Sequence, residues 1–364
     1  MKILVTGSNG FLGKNLIARI NATDAGSVLS FDIADSIEVL EEYIKKADFI
    51  FHLAGVNRPQ EKSEFYTGNS SITETVIKII EANNLKIPIV FSSSTQVGNG
   101  SDYGKSKEMA EKALLAYQER TGAEVYIYRF PGIFGKWSRP NYNTVVATFC
   151  YNTARGIPIE IRDPDYELTL VYVDDVVDLL LRTLSERRLQ IVTPTYEITL
   201  GALADIIRTF SSKFGSLEIE ELALPFNKKL YATYLSFIPE SKMSYPLLTH
   251  ADDRGSFTEF LHLPGHGQVS VNISKPGITK GEHRHDTKHE KFLVVSGKGV
   301  IRQRMTGSPE IIEHYVSGDK MEVIDILPGY THNISNLGDT DMITIIWASE
   351  IFDESRPDTF FEKV

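Results

Sequence analysis

Two groups of side chains in this 364-residue sequence have types and spacings suited to chemistry. The first is Tyr103-Gly-Lys-Ser-Lys107. Residues four apart on a helix share a face, so the Tyr103 phenol and the Lys107 ammonium can meet. A tyrosine with a pKa of ~10 is a poor acid at neutral pH, and a nearby ammonium is expected to lower that value. Such a phenol can give a proton to a carbonyl oxygen as hydride reaches its carbon. The lysine can also hold a nicotinamide ribose. A hydroxyl at a strand end would orient the carbonyl, and Ser94, which closes the apolar run from Ile87, is the candidate by position. The second group is His283-x-His285-x4-Glu290, with His332 following later in Pro328-Gly-Tyr-Thr-His332. Two residues apart on a strand point to the same face. Glu290 lies beyond a short loop and can meet the histidines from the neighbouring strand. Three histidines and a glutamate make a ligand set for Zn²⁺, or for iron or manganese.

The tyrosine needs a sheet to present it, and the first thirteen residues begin one. Met1 to Thr6 is a short apolar run, the pattern of a buried parallel strand. Gly7, Gly10 and Gly13 follow at three-residue spacing, with Asn9 and Phe11 in the same turn, and a helical run continues from Lys14 to Ile20. Strand, glycine turn and helix aim backbone N–H groups and a helix N-terminus at a pyrophosphate. A second strand ends at Asp32, nineteen residues beyond Gly13. A carboxylate there accepts from the adenosine ribose 2′-hydroxyl, and no arginine follows to receive a 2′-phosphate, so Asp32 favours NADH over NADPH. The run Ala47 to Gly55 is a further strand ending in the small-residue turn Leu53-Ala54-Gly55, and Asn57 and Arg58 follow at its carboxyl edge. Ligands of open α/β sheets bind at that edge. Residues 71–83 carry apolar groups at helical spacing.

The histidines need a different frame. Residues 199–214 read as one amphipathic helix, followed by a mixed segment to Tyr234. Phe237 to Pro246 carries two prolines and no clear period, so the expected domains are 1–243 and 244–364. Beyond that point strands rich in β-branched residues recur between glycine turns, over 268–273, 291–295, 299–304, 320–326 and 341–347. That pattern predicts an antiparallel all-β barrel or jelly roll.

Composition bounds the partners. The formal net charge of −10 argues against nucleic acid and against an anionic membrane surface, but leaves room for a phosphorylated small substrate. The one cysteine, Cys150, excludes an intrachain disulfide, and a cytoplasmic setting is the expectation. The chain opens on a core strand, so no signal peptide is expected, and no apolar run approaches the ~20 residues that cross a bilayer.

The Gly-x-x-Gly-x-x-Gly turn with Tyr103 and Lys107 resembles the extended short-chain dehydrogenase/reductases that act on nucleotide sugars. Arg129-Phe-Pro-Gly-Ile-Phe-Gly135 and Val171-Tyr-Val-Asp-Asp175 are similar to their segments around the sugar-nucleotide pocket. The loop 136–143 mixes basic and aromatic groups suited to a uracil and its phosphates, although a polar loop capping a helix reads equally well. The resemblance implies a Rossmann-like doubly wound parallel sheet, with Gly7, Asn9, Gly10, Phe11, Gly13, Asp32, Leu53, Ala54, Gly55 and Lys107 around the cofactor. It implies Asn57, Arg58, Arg129, Lys136 and Arg139 around the substrate.

The segments Gly277 to Gly297 and Pro328 to Asn336 resemble the two motifs of the cupin family. Gly318 lies ten residues before Pro328, so the second motif lacks its opening glycine at the usual spacing. The implied metal ligands are His283, His285, Glu290 and His332. Reductase followed by cupin, together with 54–59, 252–260 and 268–277, resembles a family of bifunctional enzymes of capsular polysaccharide synthesis, over essentially the whole chain. That resemblance implies a route to UDP-N-acetyl-L-fucosamine. The cupin domain would epimerise C3 of a UDP-4-keto-6-deoxy-N-acetylhexosamine, and the reductase domain would reduce the C4 ketone. It also implies a homodimer, and NADPH as reductant, where Asp32 points to NADH. Both nicotinamides stay open. His289 and Tyr330 are the candidates for moving the C3 proton. Three readings remain: the bifunctional enzyme, a keto-sugar reductase with a structural metal-binding cupin, and a non-catalytic nucleotide-sugar-binding regulator.

Overall fold

Alternating apolar strands and amphipathic helices build the first unit. The computed structural model describes residues 1–142, 144–186, 194–220 and 222–364. The chain divides into two units, Met1–Ser211 with Leu222–Pro239, and Ser212–Glu221 with Glu240–Val364. The first unit runs β1 (Lys2–Thr6), α1 (Phe11–Thr23), β2 (Ser27–Phe31), α2 (Ile37–Lys46), β3 (Phe49–His52), α3 (Ser63–Phe65), a π-helical turn (Tyr66–Ser71), α4 (Ile72–Ala82), β4 (Ile89–Ser94), α5 (Asp102–Thr121) and β5 (Val125–Phe130). It continues with β6 (Gly132–Phe134), α6 (Val145–Ala154), β7 (Glu167–Tyr172), α7 (Val173–Arg182), β8 (Thr195–Thr199), α8 (Leu200–Lys213) and α9 (Pro225–Leu235). The main sheet is parallel in the order β2-β1-β3-β4-β5, and β6, β7 and β8 form a smaller one. The strand order reverses at β1, beside β3, and that is where ligands enter such sheets. Leu4, Ile50, Ile89 and Phe91 of the strands pack with Leu40, Ile44, Val76, Ile80 and Leu114 of the helices. The mixed segment of the sequence contains α9, which starts on Pro225 at a position where the missing N–H costs nothing.

The second unit is antiparallel. It comprises β9 (Thr249–Asp252), β10 (Gly255–Leu263), β11 (Gly267–Ser274), β12 (Thr279–Arg284), β13 (Glu290–Ser296), β14 (Lys298–Met305), β15 (Ile311–Ser317), β16 (Val323–Ile326), β17 (Tyr330–Asn336), β18 (Met342–Ala348) and β19 (Phe360–Phe361). Six strands form one sheet, β16-β13-β18-β11-β10-β9, and five the other, β15-β14-β17-β12-β19. The short segment Ser212–Glu221 joins this unit, where Leu217 and Ile219 exchange backbone hydrogen bonds with His262. Phe292, Val294, Ile301, Val316, Ile326, Ile334 and Met342 form its core. Among the described residues no helix is long and apolar enough to cross a membrane.

Candidate active site and metal centre

The turn after β1 is closed by glycines. Gly7 has φ +70°, and a Cβ on it would lie 2.8 Å from the Ala54 nitrogen. A Cβ on Gly13 would lie 2.2 Å from the Gly7 carbonyl oxygen, so α1 can start this close to β1 only with glycine there. The α1 N-cap, Gly10, has no side-chain cap, and the first turn carries no acidic residue. The N–H groups of that turn, around Phe11, are therefore left for an anion such as a pyrophosphate. Asp32 follows β2, and its carboxylate accepts the Asn9 N–H at 2.6 Å, which sets a negative charge against the turn. After β3, Leu53 N–H donates to the Thr6 carbonyl and Ala54 N–H to the Thr6 hydroxyl, at 3.2 and 3.3 Å. These residues fit a dinucleotide.

Tyr103 and Lys107 occupy the first turns of α5. Ser101 caps that helix by accepting the Gly104 N–H at 3.0 Å. The Tyr103 phenol faces Ser94, the last residue of β4. Burial pushes the phenol above its ordinary pKa, and Ser94 opposes this only in part. The expected lowering by an ammonium does not occur, because Lys107 acts elsewhere. Its Nζ donates to the Ser92 carbonyl at 3.0 Å and lies over the Phe91 ring at 4.7 Å. A Cβ on Gly55 would lie 3.1 Å from that Nζ, so the lysine faces the turn after β3. Burial lowers Lys107 to about 8, with Glu111 opposing.

A residue that the sequence reading missed pins this arrangement. Asn69, fully buried in the π-helical turn, accepts the Val56 N–H at 3.0 Å. It donates to the Val56 carbonyl at 3.2 Å and to the Ser106 hydroxyl at 3.0 Å. It thereby ties the turn after β3 to α5. A π-turn inside an apolar helical pattern leaves no mark in the spacing.

The substrate candidates separate. Arg58 donates to the Asn141 carbonyl at 3.3 Å, and Asn57 is exposed beside it. Lys136 pairs with Asp174 at 2.5 Å, and Arg139 lies over the Tyr142 ring. Arg58 thus meets the basic–aromatic loop; Asn143 of that loop lies outside the described residues. Arg129 is turned elsewhere. Its guanidinium forms a double hydrogen bond with Glu111 at 2.9 and 2.6 Å, and Ser93 donates to the same carboxylate. Arg129 therefore ties β5 to α5.

In the second unit, β12 and β17 pair with His283 opposite His332. A bulge between Gly281 and His283, with Glu282 at φ +63°, re-aims the strand just before the ligands. Glu290 opens β13 in the other sheet. One donor atom each from His283, His285, Glu290 and His332 lies within 4.8 Å of all the others. His285 gives its Nδ1–H to the Asp358 carbonyl at 2.6 Å, which turns Nε2 toward Glu290 at 3.1 Å. A cation held between Nε2 and the Glu290 carboxylate would satisfy both. Both ring nitrogens of His332 are buried without a hydrogen-bond partner. Burial and the two other histidines lower His283 to about 4, so it offers a lone pair at neutral pH. Burial alone would raise Glu290, but His285 and His332, with Nε2 atoms 3.1 and 3.3 Å from its carboxylate, hold it well below the usual carboxylate range. These donors fit a divalent transition metal.

The four residues open on a cavity of about 620 Å³, also lined by Glu259, Gln268, Lys280, Lys288 and Phe292. His289 and Tyr330 do not line it. His289 instead bonds Asp325 at 2.7 Å and packs edge-on to Trp347. His289 ends the loop before β13, where its backbone N–H is held by the Ser349 hydroxyl and its ring turns to Asp325 rather than to His283.

Comparison with known proteins places this geometry. The NAD dependent epimerase/dehydratase family matches residues 3–198, and the polysaccharide biosynthesis C-terminal domain matches residues 250–360. The chain is 42% identical to a UDP-2-acetamido-2,6-beta-L-arabino-hexul-4-ose reductase of Pseudomonas aeruginosa, over 99% of this chain and 98% of the relative. The crystal structure of the capsular polysaccharide assembling protein CapF of Staphylococcus aureus superposes over 100% of both chains, with 51% identity and a TM-score of 0.93. A UDP-glucose 4-epimerase of Thermus thermophilus in complex with NAD shares the fold of 65% of this chain and 99% of its own, with 17% identity and a TM-score of 0.56.

Proposed function

Because this chain belongs to the NAD dependent epimerase/dehydratase family, we propose that it is a bifunctional nucleotide-sugar enzyme of capsular polysaccharide synthesis. Its substrate is a UDP-2-acetamido-2,6-dideoxy-4-hexulose. The second unit, a cupin, epimerises C3, and the first then reduces the C4 ketone to UDP-2-acetamido-2,6-dideoxy-L-talose. The protein works as a homodimer.

In the reductase unit the residues around Gly7, Asp32 and Lys107 would hold a nicotinamide cofactor, which when bound would supply hydride to C4. Ser94 holds the C4 oxygen, and Tyr103 gives it the proton. The raised pKa of Tyr103 suits an acid, since the phenol stays protonated at neutral pH. Lys107, facing Gly55, holds the ribose. NADH is the reductant, because Asp32 would accept from a ribose diol and repel a 2′-phosphate.

In the second unit His283, His285, Glu290 and His332 would hold Zn²⁺ or another divalent transition metal. Bound there, it would supply the positive charge that makes a C3–H next to a carbonyl more acidic. The residue that moves this proton belongs among the cavity-lining Glu259, Lys280 and Lys288, not at His289 or Tyr330.

One observation favours two activities over a reductase with a structural cupin. The four donor atoms face a cavity of about 620 Å³ instead of a closed core. A structural site closes on its metal, whereas a catalytic one keeps access for a substrate. Two variants test the division of labour. Tyr103→Phe should abolish nicotinamide oxidation and leave C3 exchange intact, and His283→Gln should lower bound metal well below one per chain and abolish the exchange. Loss of both activities in Tyr103→Phe would reject separate sites.

A further inference from the structure

Loop 286–289, which separates His285 from Glu290, is held by a residue 70 or more positions further along the chain. The Asp358 carboxylate accepts the backbone N–H groups of Asp286 and Thr287 at 3.0 Å each and that of Lys288 at 2.8 Å. It also accepts the Thr287 hydroxyl at 2.9 Å. Its own carbonyl takes the His285 Nδ1–H at 2.6 Å. Lys288 reaches back to the residues on either side, donating to the Pro357 carbonyl at 3.2 Å and the Thr359 hydroxyl at 3.4 Å. Asp358 sits at φ +29°, a backbone conformation that L-residues rarely adopt. Such a conformation persists only where surrounding contacts over-determine it. Immediately afterwards β19 pairs with β12, placing Phe361 opposite His283.

These contacts do two things to the donor set. The carbonyl fixes the tautomer of His285, because Nδ1 keeps its proton and Nε2 keeps its lone pair. The carboxylate fixes the span of chain between His285 and Glu290, and so the separation of their donor atoms. Three backbone N–H groups on one carboxylate also favour its charged form.

We propose that Asp358 is a positioning residue of the metal centre, holding His285 and Glu290 in the arrangement that binds the ion. This rests on reading His283, His285, Glu290 and His332 as metal ligands. The carboxylate acts through the loop and the carbonyl through the imidazole, and neither touches the ion.

The test uses the full-length chain stripped of metal, as wild type, Asp358→Ala and Asp358→Gly. Glycine accepts the φ of Asp358 without strain and keeps the carbonyl, so that variant removes the carboxylate alone. Zn²⁺ affinity is measured by competition with a chromophoric chelator, and the visible absorption of Co²⁺ reports the coordination geometry. Hydrogen-exchange protection of the second unit's strand amides in the same samples checks that this unit has folded. Both variants should bind Zn²⁺ about 10- to 100-fold more weakly than wild type and shift the Co²⁺ bands. If Asp358→Ala does not fold, Asp358→Gly decides. Affinity within about twofold of wild type, with unchanged Co²⁺ bands, in a folded variant would overturn the role of Asp358 alone. A wild-type chain that takes up no metal would overturn the ligand reading and this inference together.

Discussion

Asp32→Asn isolates the charge that we hold responsible for choosing the nicotinamide. In the wild type the carboxylate accepts the Asn9 N–H at 2.6 Å, and the asparagine oxygen can take the same hydrogen bond. The contact to the turn is therefore kept, while the charge and the acceptor for the Ile33 N–H, bonded to the other carboxylate oxygen at 2.8 Å, are lost. Two unit charges ~4 Å apart interact by about 4 kcal/mol at an effective dielectric of ~20. Asp32 is only half-buried, so screening and relaxation bring the repulsion of a 2′-phosphate down to roughly 1–3 kcal/mol. A hydrogen bond from the ribose hydroxyl to a charged acceptor adds about 1.5–3 kcal/mol in favour of NADH. Together these predict a wild-type preference for NADH of about 100-fold or more. Asp32→Asn should reduce that preference by about 10- to 100-fold, through weaker use of NADH and better use of NADPH. The assay is kcat/KM for each cofactor at one ionic strength, with the keto sugar saturating. A wild type that uses NADPH as well as NADH, or a variant with an unchanged ratio, would refute the assignment.

Asn69→Ala should destabilise the first unit by about 2–3 kcal/mol in denaturant titration, since one buried and two part-buried hydrogen bonds go. A loss below about 1 kcal/mol would mean that Asn69 does not pin the turn to α5. Lys107→Met should inactivate the reductase yet stabilise the unliganded protein. Burial lowers Lys107 from 10.5 to about 8. Between those values the unfolded chain binds more protons than the folded one, so the wild type gains stability as pH rises through that window. The variant lacks this term. Its advantage is present below the folded pKa, at most about 3 kcal/mol, and shrinks toward pH ~10. Denaturant titrations of both proteins at about pH 7 and about pH 10 read the difference; a gap of constant size, or one of opposite sign, contradicts the buried-amine account.

The parts of the sites that were legible in the sequence are those built from contiguous segments. Gly7, Gly10 and Gly13 announce a phosphate turn because strand, turn and helix follow each other without interruption. His283, His285 and Glu290 share one short segment, and the ligand chemistry narrows what such a segment is for. Side-chain direction was harder. Arg129 opens a segment that resembles one around a sugar-nucleotide pocket, but it faces Glu111 on α5. His289 sits next to Glu290, but its ring turns to Asp325. Most hidden were contacts made by distant chain. Asn69 works through a π-helical turn that an apolar period does not reveal, and Asp358 arrives from a segment with no motif of its own. The long strand β10 was also missed, because its polar and aromatic residues do not alternate cleanly and a bulge interrupts it between Glu259 and Leu261.

The most direct measurement is proton NMR of a UDP-4-keto-6-deoxy-N-acetylhexosamine with this protein in D₂O, without nicotinamide. The C3 proton signal should be lost, a chelator should stop the loss, and Tyr103→Phe should leave it unchanged. A C3 signal that persists with metal-loaded protein, while added NADH is still oxidised, would contradict the central claim and leave a keto-sugar reductase joined to a structural domain.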